Sequence, residues 1–462
     1  MYTNGKATTD LNREKMPIIN PATEEVLDEV LRGTPEDAHN AVEAAKQAFP
    51  SWRRTPALER AAMLHQTAAK MRSHHEELVR LLTLEQGKPI PENEEEVWWS
   101  EETFDYYAEI GRHDLGRVIP PGEAAQFNFI LKEPWGVVAC IVPWNYPILL
   151  LAWKLAPALA AGNTVVIKPS EYTPLTTLIM IQAAFDHFPP GVVNVVTGYG
   201  AEVGEPIVTH PDVRMIAFTG SLATGQRIAS LAAPQMKKLH LELGGKDPMV
   251  IAPDVDLTIA VNALAYGALI NAGQVCTSTE RVYVHESLFP QFSEELADFV
   301  GNLKIGNGLD SQTDIGPMLR DHFRGKVESQ IRQAVEQGAK VLIGGKRPEE
   351  FEKGFYLEPA VMVNVDHNME IMKEETFGPV IPLMPYKRFD EAIMLANDCQ
   401  YGLGATLMSN DAKLVKRFFE EVQAGTIWIN DPLMDNFAGP FGGMKMSGLG
   451  RELGIEGFDE FC

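Results

Sequence analysis

The chain is short of cysteine, short of positive charge, and has no long uninterrupted apolar run. Its 462 residues hold four cysteines, Cys140, Cys276, Cys399 and Cys462, with no CxxC pair among them. That spacing excludes a disulfide framework and a cysteine-based zinc site, and no metal is expected. A reducing compartment fits best, with the cytoplasm as the expectation. Forty lysines and arginines face 63 aspartates and glutamates, a formal net charge of −23. Such a chain does not suit nucleic acid or an anionic membrane as a partner. The most apolar region, Val137 to Ile167, is interrupted by Pro143, Asn145, Pro147, Lys154 and Pro157. It therefore reads as buried strand, loop and helix, not as a membrane span. Met1 to Lys15 is polar, with no apolar stretch of the kind a signal peptide carries.

What is present points to an α/β protein of two or three domains, since the length exceeds what one core supports. Glu36 to Phe49 and Ala57 to Gly87 show helical apolar spacing. Within the second, His74 and His75 are adjacent and so point to different sides of a helix, a solvated face and no metal site. The acidic run Glu92 to Glu96 also reads as solvated surface. From Trp135 on, β-branched runs alternate with helical segments: Gly136 to Val142, Thr164 to Lys168, Val192 to Thr197 and Val213 to Phe218. Leu175 to Phe188 between them is helical in pattern. This alternation implies βαβ units and a parallel sheet, which binds ligands at the carboxyl ends of its strands. A second α/β series follows Met249, with helices expected over Leu257 to Leu269, Leu288 to Leu303 and Asp321 to Gln337. Its strands are expected at Glu280 to His285, Lys340 to Ile343 and Ala360 to Val365. The boundary between the two main domains falls near Gly244-Gly245-Lys246.

Three segments carry chemistry. Asn145 sits between Pro143 and Pro147, where its amide can donate to an oxyanion or bond its own turn. Glu242 ends an apolar strand-like run before two glycines, a setting that raises a carboxylate's pKa and suits a general base, although a salt-bridged structural glutamate fits as well. Cys276 lies in a polar, glycine-containing stretch, unlike Cys140 in its apolar run. At a helix N-terminus its thiolate would be stabilised and nucleophilic. An enzyme that captures a carbonyl carbon on sulfur and releases it with water needs these three groups. On the cofactor side, Gly198 to Gly204 is one residue away from the GxGxxG fingerprint and is equally a plain glycine turn. Phe218 to Gly225 offers small residues at a helix start, where a pyrophosphate can approach backbone N–H groups. Lys168 and Glu171 end a strand, where they can bond ribose hydroxyls, and the carboxylate disfavours a 2′-phosphate.

These motifs, in this order and spacing, make the chain resemble the aldehyde dehydrogenase superfamily from about Ile18 onward. The matching segments include Pro143-Trp144-Asn145, Lys168-Pro169-Ser170-Glu171, Glu242-Leu243-Gly244-Gly245-Lys246, Gly273-Gln274-Val275-Cys276, Glu375-Thr376-Phe377-Gly378-Pro379 and Pro440-Phe441-Gly442-Gly443. The resemblance implies a Rossmann-like cofactor domain over 1–115 and 134–245 and a catalytic α/β domain over 246–432. It also implies oligomerisation segments over 116–133 and 433–462, the latter apparently cut short of a further strand, in a homodimer or homotetramer. It implies NAD as cofactor and a small aldehyde as substrate. Cys276 would attack the aldehyde, Asn145 would hold the oxyanion, and Glu242 would activate the hydrolytic water. Lys168, carried with this catalytic set, would bind the adenosine ribose together with Glu171. Trp144, Gly200, Gly220, Ser221 and Leu243 would line the cofactor cleft, and Glu375 and Phe377 would position the nicotinamide ribose and ring. Phe218 to Gly225 would matter more to the cofactor than Gly198 to Gly204. Tyr146, Trp153 and Phe441 resemble the aromatic box of betaine aldehyde dehydrogenases, although Ile270 stands where the plant enzymes of that group carry an aromatic residue. A CoA-acylating relative would not need Glu242, and a retired, purely structural relative would not need Cys276.

Overall fold

The computed structural model describes residues 1–8, 12–113 and 116–462. Its first sheet has eight strands in the order Lys6–Ala7, Tyr2–Thr3, Val193–Val195, Thr164–Lys168, Val137–Ile141, Val213–Thr219, Lys238–Glu242 and Gly448–Leu449. The middle five run parallel. In chain order they stand third, second, first, fourth, fifth, so the winding reverses between Val137–Ile141 and Val213–Thr219. A crevice opens at the carboxyl ends of strands at such a reversal. Val138, Cys140, Val165 and Ile167 pack into one apolar cluster, and Val137, Ala139, Ile141 and Val166 into another. Alternate residues thus bury opposite faces, which is why these strands read as continuous apolar runs.

The chain leaves this sheet at Glu242 and enters a second one at Asp247. The second sheet has seven strands in the order Lys340–Ile343, Ala360–Val363, Val380–Tyr386, Thr279–His285, Asp247–Ile251, Gly404–Met408 and Thr426–Ile429. All neighbours are parallel except the first pair. Helices start where the sequence supplies caps. Thr34 and Asp37 form a capping box at Pro35–Trp52, and Asp256 caps Leu257–Leu269.

Several expectations change. The helical pattern from Ala57 to Gly87 is two helices, Ala57–Ser73 and His75–Gln86, joined at His74 with φ −109 and ψ 11. Gly200–Gly204 is a π-helical turn leading into the short helix Glu205–Thr209. The run Glu92 to Glu96 is not simply solvated surface: it lies in the helix Ile90–His113, and Glu96 is buried. The segment 433–462 contributes to this chain's own first core, because Phe458 and Phe461 are buried there and Gly448–Leu449 pairs with Leu241 and Glu242. The expected domain edge at residue 115 lies outside the described residues. Arg117–Ile119 and Asn128–Ile130 form a separate hairpin with Val118, Phe127, Phe129 and Leu131 exposed. Among the described residues, no helix is long and apolar enough to cross a membrane.

Candidate active site

Asn145 follows the first parallel strand, Glu242 ends the last, and Cys276 precedes the strand Thr279–His285 of the second sheet. Asn145 is buried, and its Nδ2 donates to the Gln274 carbonyl at 3.1 Å, two residues before the nucleophile. Its own carbonyl accepts from Lys88 Nζ and from Asn271 Nδ2, each at 3.1 Å. The nucleophile loop is wound tightly. Asn271 and Ala272 have φ 52 and Gly273 has φ 71. Left-handed geometry costs a non-glycine residue about 1–2 kcal/mol. Cross-links hold the loop there: Gln86 Nε2 donates to Asn271 Oδ1 at 2.8 Å, Gln274 Nε2 to the Asn271 carbonyl at 2.9 Å, and Leu319 N to Gln274 Oε1 at 2.9 Å. Gly273 is required, since a Cβ would lie 2.3 Å from the Gly378 carbonyl oxygen.

Cys276 sits in a turn and not at a helix N-terminus, which corrects the expectation of a dipole-stabilised thiolate. Burial raises its pKa well above the ordinary thiol value, and the neighbouring Glu242, Asp247 and Glu375 carboxylates raise it further. Glu242 is 2% exposed, and neither carboxylate oxygen has a well-formed hydrogen bond. Burial pushes its pKa well above the carboxylate range and Glu452 adds to this, while Lys154 and the Cys276 thiol oppose it. A carboxylate that holds its proton this tightly beside a thiol is equipped to exchange protons with it and with water.

Two cavities meet at Cys276. One is lined by Trp144, Asn145, Gly220, Ser221, Glu242, Leu243, Glu375 and Phe377. Here Ser221 caps the helix Leu222–Ala232, its side chain accepting from Thr224 N, so that helix start faces the cavity. Gly244 fits against Glu375 because it lacks a side chain: a Cβ would lie 2.7 Å from Glu375 Oε1. Trp144 packs against Phe323 at 4.9 Å and edge-on to Phe377 at 5.4 Å. A helix start and a cradle of small residues and rings fit a dinucleotide. Lys168, Glu171 and Gly200 lie outside this cavity. Lys168 Nζ bonds the Pro169 carbonyl at 3.0 Å and Glu171 at 3.4 Å, and Gly200 is exposed with no atom near its Cβ position. Lys168 is thus not brought to Cys276, and as a catalytic group it is dropped.

The other cavity is lined by Tyr146, Trp153, Ile270 and Phe441, as the sequence suggests, and also by Glu92, Glu95, Trp99, Tyr266 and Asp435. The aromatic box is partly committed elsewhere. Lys88 Nζ lies 3.8 Å from the centre of the Tyr146 ring, and Trp153 packs against Phe441 at 5.2 Å. Burial raises Asp435 to about 7 with no opposing cation. Glu92 is also raised to about 7, chiefly by burial, with Lys88 opposing. Sequence reading missed Glu92 and Asp435, and also the buried pair Lys154–Glu452, in which Lys154 Nζ donates to Thr219 Oγ1 at 2.6 Å. The signals existed: Lys154 interrupts an apolar helix, and Glu92, Glu96 and Trp99 recur at helical spacing.

A thiol, a buried carboxylate and an amide beside the switch point of a doubly wound sheet define an oxidoreductase for carbonyl compounds. The chain belongs to the aldehyde dehydrogenase family, whose model matches residues 8–462. It is 40% identical to a chloroplastic aminoaldehyde dehydrogenase of Arabidopsis thaliana, over 100% of this chain and 94% of that protein. It is also 40% identical to a mitochondrial succinate-semialdehyde dehydrogenase of the same plant, over 99% and 86%. A crystal structure of betaine aldehyde dehydrogenase from Staphylococcus aureus in complex with NAD+ superposes with a TM-score of 0.98 at 40% identity, over 100% of this chain and 92% of that one. The expected fold, the oxidation of an aldehyde and NAD as cofactor are borne out. The cytoplasmic expectation is overturned, because relatives this similar are chloroplastic and mitochondrial. A chain poor in cysteine fits any compartment that keeps thiols reduced, so its composition does not select the cytoplasm.

Proposed function

We propose that the enzyme oxidises a small aldehyde bearing a protonated amine to the carboxylic acid, with NAD+ and water. The observation that carries this reading is the carboxylate-lined cavity leading to Cys276, with Glu92, Glu95 and Asp435 on its wall. A primary ammonium can donate hydrogen bonds to carboxylates, whereas a trimethylammonium group can only rest on aromatic faces. Tyr146 already stacks on Lys88, which favours the amine. The names of the relatives, aminoaldehyde and betaine aldehyde dehydrogenases among them, fit a cationic substrate.

In this mechanism Cys276 gives up its proton to solvent and adds as the thiolate to the carbonyl carbon, while Glu242 acts in its ionised form at the later step. The second N–H of the Asn145 amide, free of the Gln274 bond, donates to the oxyanion. One such donor contributes about 3 kcal/mol. Trp144, Ser221, Glu375 and Phe377 would hold NAD+, which would supply the hydride acceptor there. Glu242 then takes a proton from water, whose oxygen adds to the thioester carbon; the C–S bond breaks, Cys276 leaves as the thiolate and the carboxylic acid is released. Lys168 and Glu171 act on the adenosine ribose, outside the chemistry. A CoA-acylating reaction would leave Glu242 without a task. The exposed apolar hairpin supports assembly as a homodimer or homotetramer.

The test is kcat/KM for 4-aminobutyraldehyde, betaine aldehyde, butyraldehyde and succinate semialdehyde, with and without CoA. The amine is expected to lead the neutral aldehyde by about tenfold or more, as one charged hydrogen bond allows. Equal values for the amine and the neutral aldehyde would refute the assignment.

A further inference from the structure

Glu280 is the second residue of the strand Thr279–His285, four residues after Cys276, and is 2% exposed. Its two oxygens grip two consecutive backbone groups of a distant segment. Oε2 accepts from Thr376 N at 2.7 Å and Oε1 from Phe377 N at 2.7 Å. Lys246, 1% exposed, completes the arrangement: its Nζ donates to Glu280 Oε2 at 2.6 Å and to Thr376 Oγ1 at 3.0 Å. The Lys246 carbonyl in turn accepts from Arg281 Nε at 2.7 Å.

The gripped segment is not at rest in its local conformation. Phe377 has φ +55, unfavourable for an aromatic residue. Two successive N–H groups converging on one carboxylate hold it there. On either side of that grip, Glu375 and Phe377 enter the cavity beside Trp144. Gly245 N donates to Glu375 Oε1 at 3.2 Å, so the same Gly-Gly-Lys crossing that carries Lys246 also contacts the Glu375 carboxylate. A buried ion pair is weak evidence for stability by itself, but it is well suited to fixing one geometry.

We infer that Glu280, paired with Lys246, is a positioning residue for the cofactor: it fixes Glu375 and Phe377 where they meet the nicotinamide half. This rests on the reading of that cavity as the NAD site. It touches neither the thiol nor the substrate cavity, so its loss should weaken cofactor use and spare the sulfur chemistry.

The test is Glu280→Gln. The amide keeps the volume but sets an N–H₂ against one of the two backbone donors. KM for NAD+ should rise about tenfold, and the NADH burst should slow, as expected when reacting groups are misplaced without being removed. Hydrolysis of 4-nitrophenyl acetate without NAD+, which needs Cys276 and water but no oxidant, should stay within about twofold. Parallel losses in ester hydrolysis and in NAD+ kinetics would overturn the inference in favour of a general structural role. Adding Glu280→Gln to Glu375→Gln should cost less than adding it to the unmodified enzyme, and full additivity would count against the inference. If Glu280→Gln does not fold, Thr376→Val removes one Lys246 contact and should raise KM for NAD+ by a smaller factor, with no rise refuting the link. NAD+ binding followed by tryptophan fluorescence separates the two readings. A wild-type enzyme that hydrolyses the ester but makes no NADH would refute the proposed function, while weaker NAD+ binding in Glu280→Gln would still support the clamp and unchanged binding would refute it.

Discussion

The two cavities that share Cys276 are built differently. The cofactor side is made of backbone, glycine and rings: Gly220, Ser221, Gly244, Trp144 and Phe377. The other cavity, the proposed substrate side, is made of carboxylates and aromatics from separate elements: Glu92 and Glu95 on one helix, Tyr266 on another, Asp435 on a loop. The first is shaped for close approach to a ligand, and on the proposed reading the second selects one by charge. A motif can encode close approach in a few adjacent residues, but a carboxylate cluster assembled from Glu92 to Asp435 has no linear signature.

The comparison breaks most sharply at the shared residue. Cys276→Ala should abolish NADH formation for every aldehyde, by at least about three orders of magnitude in kcat. Retained turnover would remove the nucleophile from its role. Glu242→Gln should leave a single-turnover burst of NADH but lower the steady state about 10²- to 10⁴-fold. An unchanged steady state would show that water needs no base from this residue.

Asp435→Asn addresses the substrate side alone. It should cut kcat/KM for an aminoaldehyde about tenfold and leave a neutral aldehyde nearly unchanged. Equal effects on both would mean that the loop shapes the cavity without reading charge. Glu171→Gln addresses the cofactor side alone and should narrow the preference for NAD over NADP by about tenfold, as judged from the two kcat/KM values.

Acidity separates the sides more gently. Glu92 and Asp435 are both raised to about 7. A carboxyl with a raised pKa is neutral below that value and charged above it. KM for an aminoaldehyde should therefore fall several-fold between about pH 6 and about pH 8.5, while KM for a neutral aldehyde changes less. A pH-independent ratio of the two would show that neither carboxylate titrates against the substrate.

Much of the frame was legible because local patterns and tertiary packing agree. Thr164–Lys168, Leu257–Leu269 and Lys340–Ile343 fall where alternation and helical spacing put them. The break at His74 was not legible, because good helix formers run through it. The acidic run at Glu92 misled for a related reason: charge suggests solvent, while the 92, 96, 99 spacing turns part of it inward. The thiol's environment was misjudged because a low pKa needs a helix start or a cation, and the fold supplies three carboxylates instead.

The sequence by itself determined the α/β frame, the amide–carboxylate–thiol trio and the glycines that let segments touch, because these depend on residue type and short spacing. Only the tertiary structure decided which cation Tyr146 faces, how tightly Cys276 and Glu242 hold their protons, and which carboxylates line the cavity that reaches Cys276. Those properties depend on burial and on distances between residues far apart in the chain.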